Sequence, residues 1–157
     1  MENTDQRKEL KVSAIENGTV IDHIPAKSVF RVMRILGLDQ LLENQVLVGT
    51  NLDSKKFGKK GIIKVSNTFF EADDINKIAL VAPSATLIVI KNFQVVLKKQ
   101  VEIPTHVEKF VKCFNPNCIT NHENVPTKFD VLETEEGLKL SCHFCEKTTS
   151  KEDMVFV

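Results

Sequence analysis

Four cysteines near the end of the chain constrain its fold more than any other feature of the sequence. They form two short pairs, C-x4-C and C-x2-C, separated by 23 residues: Cys113, Cys118, Cys142 and Cys145. Such pairs suit a tetrahedral metal ion, because each pair turns the chain tightly enough to place two sulfurs on one ion. The spacing therefore predicts one structural Zn²⁺ ion per chain, held by four thiolates.

Two disulfides are the main alternative use of these thiols, and they are typical of exported proteins. The first ten residues, MENTDQRKEL, lack the apolar stretch of a signal peptide. We therefore expect a cytoplasmic protein with reduced thiols. His122 and His143 are rival metal ligands, but His143 lies inside the second pair, where neighbouring side chains diverge, and neither is favoured. Four thiolates leave no coordination position for water or substrate, so the site is predicted to be structural and not catalytic.

The segment that carries the cysteines, residues 103–157, is predicted to be a small antiparallel β domain. Strands at 128–134 and 138–142 flank a Glu-Glu-Gly turn, and a last strand runs through 154–157. Few large apolar side chains are available here to form a core. Metal binding, with a free energy on the order of 10 kcal/mol, is expected to replace part of that core.

The front of the chain, residues 11–102, has the pattern of an α+β domain. The predicted strands span residues 11–15, 46–52, 62–65 and 86–90. One helix begins after Pro25 and closes near Gly37, and another lies between Glu71 and Pro83. This order of elements is that of a ferredoxin-like fold. A tight turn at 91–92 is expected to send residues 93–97 back as an additional strand, and residues 1–10 are predicted to be a flexible tail.

Charge is distributed unevenly, although the net charge is zero. Residues 1–102 carry 15 Lys+Arg against 12 Asp+Glu, whereas residues 103–157 carry 6 against 9. An acidic metal-binding end is a poor ligand for a phosphate backbone, which disfavours the main alternative function, a zinc-ribbon nucleic-acid-binding protein. No uncharged run approaches the roughly 18 to 20 residues of a membrane span. Neither nucleic acid nor membrane is an expected partner.

Two places in the front domain are candidates for ligand contacts. Lys64 lies inside an apolar strand and Lys98 ends another, which suggests anion contacts from one sheet, although a solvated face is the alternative. Asp22 and His23 are predicted to lie between the end of an apolar strand and the helix that follows Pro25, where side chains often face a ligand; a helix cap or loop hydrogen bond is the alternative there. The sequence lacks both G-x-G-x-x-G and a P-loop, so neither standard phosphate cradle is available.

Three motifs together resemble one protein family. They are GTVIDHIPA near the front, IKVSNTF in the middle, and the paired cysteines at the end. In a chain of this length, the combination resembles the regulatory chain of aspartate carbamoyltransferase, and the resemblance covers nearly the whole chain. It implies a non-catalytic subunit of the enzyme that commits carbamoyl phosphate and aspartate to pyrimidine biosynthesis.

The resemblance also implies a division of tasks between two domains. Residues 11–102 would form a ferredoxin-like allosteric domain that binds CTP as inhibitor and ATP as activator, with UTP as a further candidate effector. Residues 103–157 would form a zinc domain that contacts the catalytic chain. Regulatory dimers would join catalytic trimers into a dodecamer of six catalytic and six regulatory chains.

Carried over position by position, the family's effector site implies roles for individual residues. Asp22 matches the residue that holds the ribose, and His23 and Lys98 match residues near the ribose or phosphates. Lys64 matches the residue that contacts the pyrimidine and its phosphates. The matched pocket wall comprises Val12, Ile15, Val20, Ile90, Phe93 and Val95, and the matched zinc ligands are Cys113, Cys118, Cys142 and Cys145.

This chain departs from the family pattern at two positions in or beside the implied pocket. The family commonly has asparagine where this chain has Ile88, and tyrosine where it has Phe93. Two polar contacts are therefore missing, and the resemblance leaves open which nucleotide is preferred and whether each one activates or inhibits.

Overall fold

The first part of the chain folds into a sheet with helices on one face. A computed structural model describes residues 14–40, 43–55 and 58–157. The strands are β1 (Gly18–Pro25), β2 (Val46–Ser54), β3 (Gly58–Ser66), β4 (Thr86–Lys91) and β5 (Gln94–Gln100). The helices are α1 (Val29–Ile35) and α2 (Ala72–Val81), with 3-10 turns at Ala26–Ser28 and Leu38–Gln40. The antiparallel strands lie in the order β2-β3-β1-β4-β5, which is the predicted ferredoxin-like arrangement with one added edge strand.

The first described strand differs from the predicted one at 11–15. Ile15 is not part of a strand, and residues 11–13 and the predicted tail at 1–10 lie outside the described residues. Strand β1 begins instead at Gly18, where φ is +143° and a Cβ would lie 2.1 Å from the carbonyl oxygen of Val65. This close approach requires glycine. The sequence prediction placed Asp22 and His23 after a strand, and that was wrong: both lie within β1.

The turn between β4 and β5 lies one residue later than predicted. Its central residues are Asn92 and Phe93, with φ of 52° and 64°. Positive φ at both central positions is typical of a type I′ hairpin turn, whose twist matches that of the flanking strands. The N–H of Phe93 donates to the carbonyl oxygen of Glu16 at 2.9 Å. Phe93 therefore belongs to the turn and not to the returning strand.

Strand alternation divides the first sheet into two faces. Ile21 of β1 pairs with Ile63 on one side and Leu87 on the other, and these residues point toward the helices. The core on that side also buries Val29 and Val32 of α1. Residues offset by one position along each strand point to the opposite face, so the sequence alternation decides which side chains can meet a ligand.

The last part of the chain consists of short strands and turns, as predicted. The strands are β6 (His106–Glu108), β7 (Val111–Lys112), β8 (Lys128–Thr134), β9 (Gly137–Cys142), β10 (Thr148–Ser150) and β11 (Val155–Phe156). One antiparallel sheet has the order β10-β9-β8-β6, and β7 pairs with β11. The strand predicted at 128–134 has the predicted bounds, that at 138–142 begins one residue earlier, and the last strand is shorter than predicted.

Helix α2 contributes to the cores of both parts of the chain. Ile78 and Val81 pack in the core of the first sheet, whereas Leu80 packs among residues of the second part, including Phe110 and Met154. All three helix residues are fully buried. Within the described segments, no helix has both the length and the apolar character required to cross a bilayer.

Candidate metal centre and anion-binding face

The four cysteines predicted to bind a metal converge on one point. Their sulfur atoms all lie within 4.8 Å of one another. Cys113 Sγ lies 3.7 Å from Cys145 Sγ, and Cys118 Sγ lies 3.8 Å from Cys142 Sγ. A disulfide bond is about 2.05 Å long, so the thiols are free and the disulfide alternative does not describe this structure. The sulfurs form a cluster suited to one metal ion.

The environment of the thiols changes their pKa in opposite directions. Burial raises the pKa of Cys113 and of Cys142 above the usual thiol value. Burial also acts to raise the pKa of Cys145, but hydrogen bonds from the backbone N–H of Lys147 and from Asn115 outweigh it and lower that pKa to about 7. Metals bind thiolates, so an incoming ion displaces protons from the two thiols with raised pKa.

Polar groups around the cluster fix the cysteine-bearing turns. Asn121 Nδ2 donates to the carbonyl oxygens of Cys113 at 3.0 Å and Asn115 at 2.7 Å, which holds the first pair in a tight loop. Thr120 Oγ1 donates to Cys118 Sγ at 3.2 Å, and the N–H of Phe144 donates to Cys142 Sγ at 3.4 Å. Sequence reasoning missed these supporting groups, because only folding shows which polar side chains point at the sulfurs.

Lys64 and Lys98, predicted to contact an anion, lie in one row across the helix-free face of the first sheet. Val20 pairs with Lys64 on one side and Ile88 on the other, and Ile88 pairs with Lys98. Directly paired residues point to the same face. Burial lowers the pKa of Lys64, and the nearby negative charge of Asp22 partly opposes that shift. The row therefore consists of the half-buried Lys64, the apolar residues Val20 and Ile88, and the exposed Lys98.

Asp22 and His23 lie next to this row on β1. Lys60 Nζ donates to Asp22 Oδ1 at 2.7 Å, and the N–H of His23 donates to the same oxygen at 2.6 Å. The φ of His23 is +56°, within an irregular part of the strand pairing. Its ring Nδ1 lies 2.9 Å from Thr86 Oγ1. Lys60, the partner of Asp22, was not among the residues predicted from the sequence to contact a ligand.

The residues matched to the pocket wall are only partly brought together. Ile15 and Val20 are buried in a small cluster with Ile62, and Ile88 and Ile90 pack against it. Phe93 and Val95 are 66% and 59% exposed, and Val95 pairs directly with Ile90 at the edge of this cluster. Phe93 does line a cleft of about 360 Å³ together with Ile15. Val12 lies outside the described residues.

Comparison with known proteins identifies the family of the chain. A family model described as "Aspartate carbamoyltransferase regulatory chain, allosteric domain" matches residues 10–102, and one described as the metal binding domain of that chain matches residues 105–155. The chain belongs to the aspartate carbamoyltransferase regulatory chain family. Curated relatives with this name include that of Pyrococcus horikoshii, 51% identical over 148 residues, which are 94% of this chain and 97% of the relative. That of Bacteroides fragilis is 44% identical over 154 residues, or 98% and 99% of the two chains.

Membership of the regulatory chain family decides several predictions made from the sequence. The chain is a non-catalytic subunit, and the zinc-ribbon nucleic-acid alternative is not favoured. The four-cysteine cluster lies in the segment matched by the metal binding domain, as the spacing predicted. The row that contains Lys64 and Lys98 lies in the segment matched by the allosteric domain.

Proposed function

We propose that this regulatory chain binds CTP- and ATP-type nucleotides on the helix-free face of its first sheet and transmits that binding to the catalytic chains of aspartate carbamoyltransferase. The observation that carries the proposal is the cross-strand row in which Val20 joins Lys64, and Ile88 joins Lys98. It places two cations on one face of a domain that belongs to an allosteric family.

The chemistry of this face suits a nucleotide. Lys64 and Lys98 offer charge-assisted hydrogen bonds to phosphate oxygens. Asp22 accepts hydrogen bonds from Lys60 and from the N–H of His23 at Oδ1, and it is the proposed ribose-binding carboxylate. A base would lie against the apolar cluster, with Val12, Ile15, Val20, Ile90, Phe93 and Val95 as its proposed wall. The side chain of Ile88, in the same row, offers no hydrogen bond to a base. Discrimination between cytosine and adenine would therefore depend on main-chain groups.

We propose Zn²⁺ as the metal of the four-cysteine cluster. For zinc–sulfur bonds of about 2.3 Å in a tetrahedron, neighbouring sulfurs lie about 3.8 Å apart. The Cys113–Cys145 and Cys118–Cys142 sulfur pairs, at 3.7 and 3.8 Å, match that distance. One ion per chain would be held by Cys113, Cys118, Cys142 and Cys145. The ion would cross-link the two cysteine turns, and its four thiolate ligands would leave no coordination position for a substrate.

The cysteine turns are the proposed contact surface for the catalytic chain. Phe114 and Ile119 each follow a metal-binding cysteine, and Phe144 lies between the two cysteines of the second pair. All three are large, apolar and exposed. Apolar side chains exposed on a rigid support are typical of a protein interface. The metal would shape this surface, so loss of the metal would release the catalytic chain.

Helix α2 and the end of the chain provide the proposed route of transmission. Leu80 of α2 is buried in the metal-binding lobe, which is the part of the chain from residue 103 to residue 157. Ile78 and Val81 of the same helix are buried under the first sheet, in the first lobe. Arg31 of α1 donates to the carbonyl oxygen of Met154 at 2.8 Å. The Lys77 ammonium lies 5.5 Å from the centre of the Phe110 ring. A shift of α2 on effector binding would therefore move the metal-binding lobe.

Strand β5 supports a regulatory dimer. It lies at the edge of the sheet, and all seven of its residues are exposed, including Val95, Val96 and Leu97. An exposed apolar edge strand is a template for pairing with another chain. If two copies pair through β5, both metal-binding lobes stay accessible to catalytic chains. Such dimers would suit the proposed assembly of six catalytic and six regulatory chains.

We further propose a boundary between the two domains at residues 102 and 103, with the allosteric domain at 11–102, the metal-binding domain at 103–157 and a tail at 1–10. The ranges matched by the two family models support that boundary. Free thiols suit a reducing compartment, which supports a cytoplasmic location. UTP is a further effector to be tested beside CTP and ATP.

The test combines assembly and regulation. The chain is co-purified with its catalytic chain, and carbamoyl transfer is measured against aspartate concentration with and without each nucleotide. Lys98→Ala should reduce nucleotide affinity at least tenfold, since a hydrogen bond to a charged group contributes about 1.5–3 kcal/mol. Lys99→Ala is the matched control, because Lys99 pairs with Leu87 and its side chain points to the helix-covered face.

Equal nucleotide binding by the Lys98 and Lys99 variants, measured by calorimetry on the assembled complex, would contradict the proposed site. A complex whose activity does not respond to any of the nucleotides would contradict the transmission proposal. Failure of the chain to co-purify with the catalytic chain would contradict the proposed function as a whole.

A further inference from the structure

A second group of metal-ligating side chains lies on the metal-binding lobe, apart from the four cysteines. His106, Asp130 and His143 place their ligand atoms within 4.8 Å of one another. His106 Nδ1 lies 2.6 Å from Asp130 Oδ1, and His143 Nε2 lies 3.1 Å from the same oxygen. We propose that these three residues bind a divalent transition-metal ion, such as Zn²⁺, as a site separate from the cysteine cluster.

The strand register builds this group from distant parts of the sequence. His106 of β6 pairs directly with Asp130 of β8, so their side chains share a face. His143 follows β9, and its N–H donates to the carbonyl oxygen of Lys128 at 2.9 Å, which extends the β8–β9 ladder by one position. Asp130 and Lys128 lie two residues apart on β8, so His143 reaches the face that carries Asp130.

The same alternation separates the two metal sites. Cys142 is buried and His143 is exposed, because adjacent residues point to opposite sides of the sheet. Cys142 therefore contributes to the sulfur cluster, while His143 faces outward. An ion in the outer site would bind on the solvent side of the lobe, with no ligand shared between the two sites.

The donor set determines which ions fit. Two imidazole nitrogens and one carboxylate oxygen are ligands for Zn²⁺, Ni²⁺ or Cu²⁺, and are unlike the all-oxygen sets that Mg²⁺ and Ca²⁺ prefer. With three protein ligands, water would complete the coordination sphere. A bound ion would replace the two histidine–aspartate contacts of the metal-free arrangement. Lys128 lies on the same face but pairs directly with Glu108, so the two charges oppose each other. Because the outer site has three ligands at the surface in place of four thiolates, binding is expected to be weaker than at the cysteine cluster.

The experiment uses the full chain with its cysteine site already loaded. Zn²⁺ is added to the loaded protein in a calorimeter, and bound metal per chain is counted by atomic absorption after brief desalting at the same free Zn²⁺ concentration. Wild-type protein is expected to bind a second equivalent. His106→Ala and Asp130→Asn should each lose that second equivalent while keeping the first, which shows that the lobe is still folded.

His122→Ala is the matched control, since His122 lies on the same lobe outside the group. It should bind the second equivalent as the wild type does. In parallel, the imidazole NMR signals of His106 and His143 should shift on addition of Zn²⁺, while those of His23 and His122 stay unchanged. A wild-type chain that stops at one equivalent would overturn the proposal, as would a second equivalent retained by His106→Ala and Asp130→Asn.

Discussion

The two lobes of this regulatory chain stabilise their sheets by different means. The first lobe buries aliphatic side chains between five strands and two helices, among them Ile21, Ile63 and Val65. In the second lobe, Cys113, Cys118 and Cys142 are part of the core itself, and Leu80 is contributed by a helix of the first lobe. Metal–sulfur bonds can replace apolar burial where a small domain has little of it. We therefore expect the stability of the second lobe to depend on a bound ion, and that of the first lobe to depend on it far less.

Loss of the metal is expected to give the largest difference between the lobes. Cys142→Ser or chelation should unfold the second lobe, because it removes binding free energy on the order of 10 kcal/mol. Hydrogen exchange read lobe by lobe should show lost protection from 106 onward and retained protection in the first sheet. Ser141→Ala, one residue away on the same strand, is the control. A second lobe that remains protected after complete metal loss would contradict the comparison.

Two substitutions on α2 test whether the helix contributes separately to each core. Leu80→Ala should cost about 2–5 kcal/mol and reduce protection chiefly in the metal-binding lobe, because it opens a cavity there. Ile78→Ala should cost a similar amount but act on the first sheet. Urea unfolding with lobe-resolved hydrogen exchange separates the two. If both variants reduce hydrogen-exchange protection in the same lobe, α2 does not contribute separately to the two cores.

Gly61→Ala tests how closely α1 approaches the first sheet. A Cβ at Gly61 would lie 1.9 Å from Val29 Cγ2, so the Val29 side chain or the start of α1 must shift. Overpacking of this kind costs about 1–3 kcal/mol. Thermal unfolding should show the loss in the first lobe, with the metal content unchanged. The double variant Gly61→Ala/Val29→Ala should recover part of the stability lost in Gly61→Ala; no recovery would place the strain elsewhere.

The smallest expected effect concerns the pH dependence of nucleotide binding. Burial lowers the pKa of Lys64, and Asp22 partly opposes this. Only the protonated amine attracts phosphate, so affinity should fall as the pH rises through that lowered pKa. Lys64→Arg keeps its charge throughout this range and should show a flatter profile. Calorimetric titration with CTP between about pH 7 and pH 10 compares the two. Parallel profiles would show that Lys64 does not contact the phosphates.

Much of the fold could be predicted from the sequence, because its local signals are strong. The alternating residues of 128–134 gave a strand with the observed bounds. The acidic residues after Glu71 and the later Pro83 correctly indicated α2. The prediction missed β1, because β-branched side chains occur both at 11–15 and at 18–25, and pairing with β3 and β4 is what shows that 18–25 is a strand. Of the predicted strand, Ala14 and Ile15 are not in a strand and residues 11–13 lie outside the described residues.

The candidate sites, like the fold, could be predicted only in part from the sequence. The cysteine pairs predicted the metal cluster, since two cysteines with two to four residues between them are held close together by the local chain geometry. The partners Lys60 and Asn121 could not be predicted, because each meets its target from another segment. His106, Asp130 and His143 are separated by 24 and 13 residues along the chain, and they carry no spacing signal.

The sequence by itself determined the family, the class of fold, and which four cysteines form the candidate metal cluster. Those properties depend on residue types and on spacings over a few positions, where covalent geometry limits the outcome. The tertiary structure alone decided which lysines share a face, which core receives Leu80, and how two histidines reach one aspartate. Strand register and helix packing set these contacts, and both follow from the burial of the whole apolar surface and not from any local pattern.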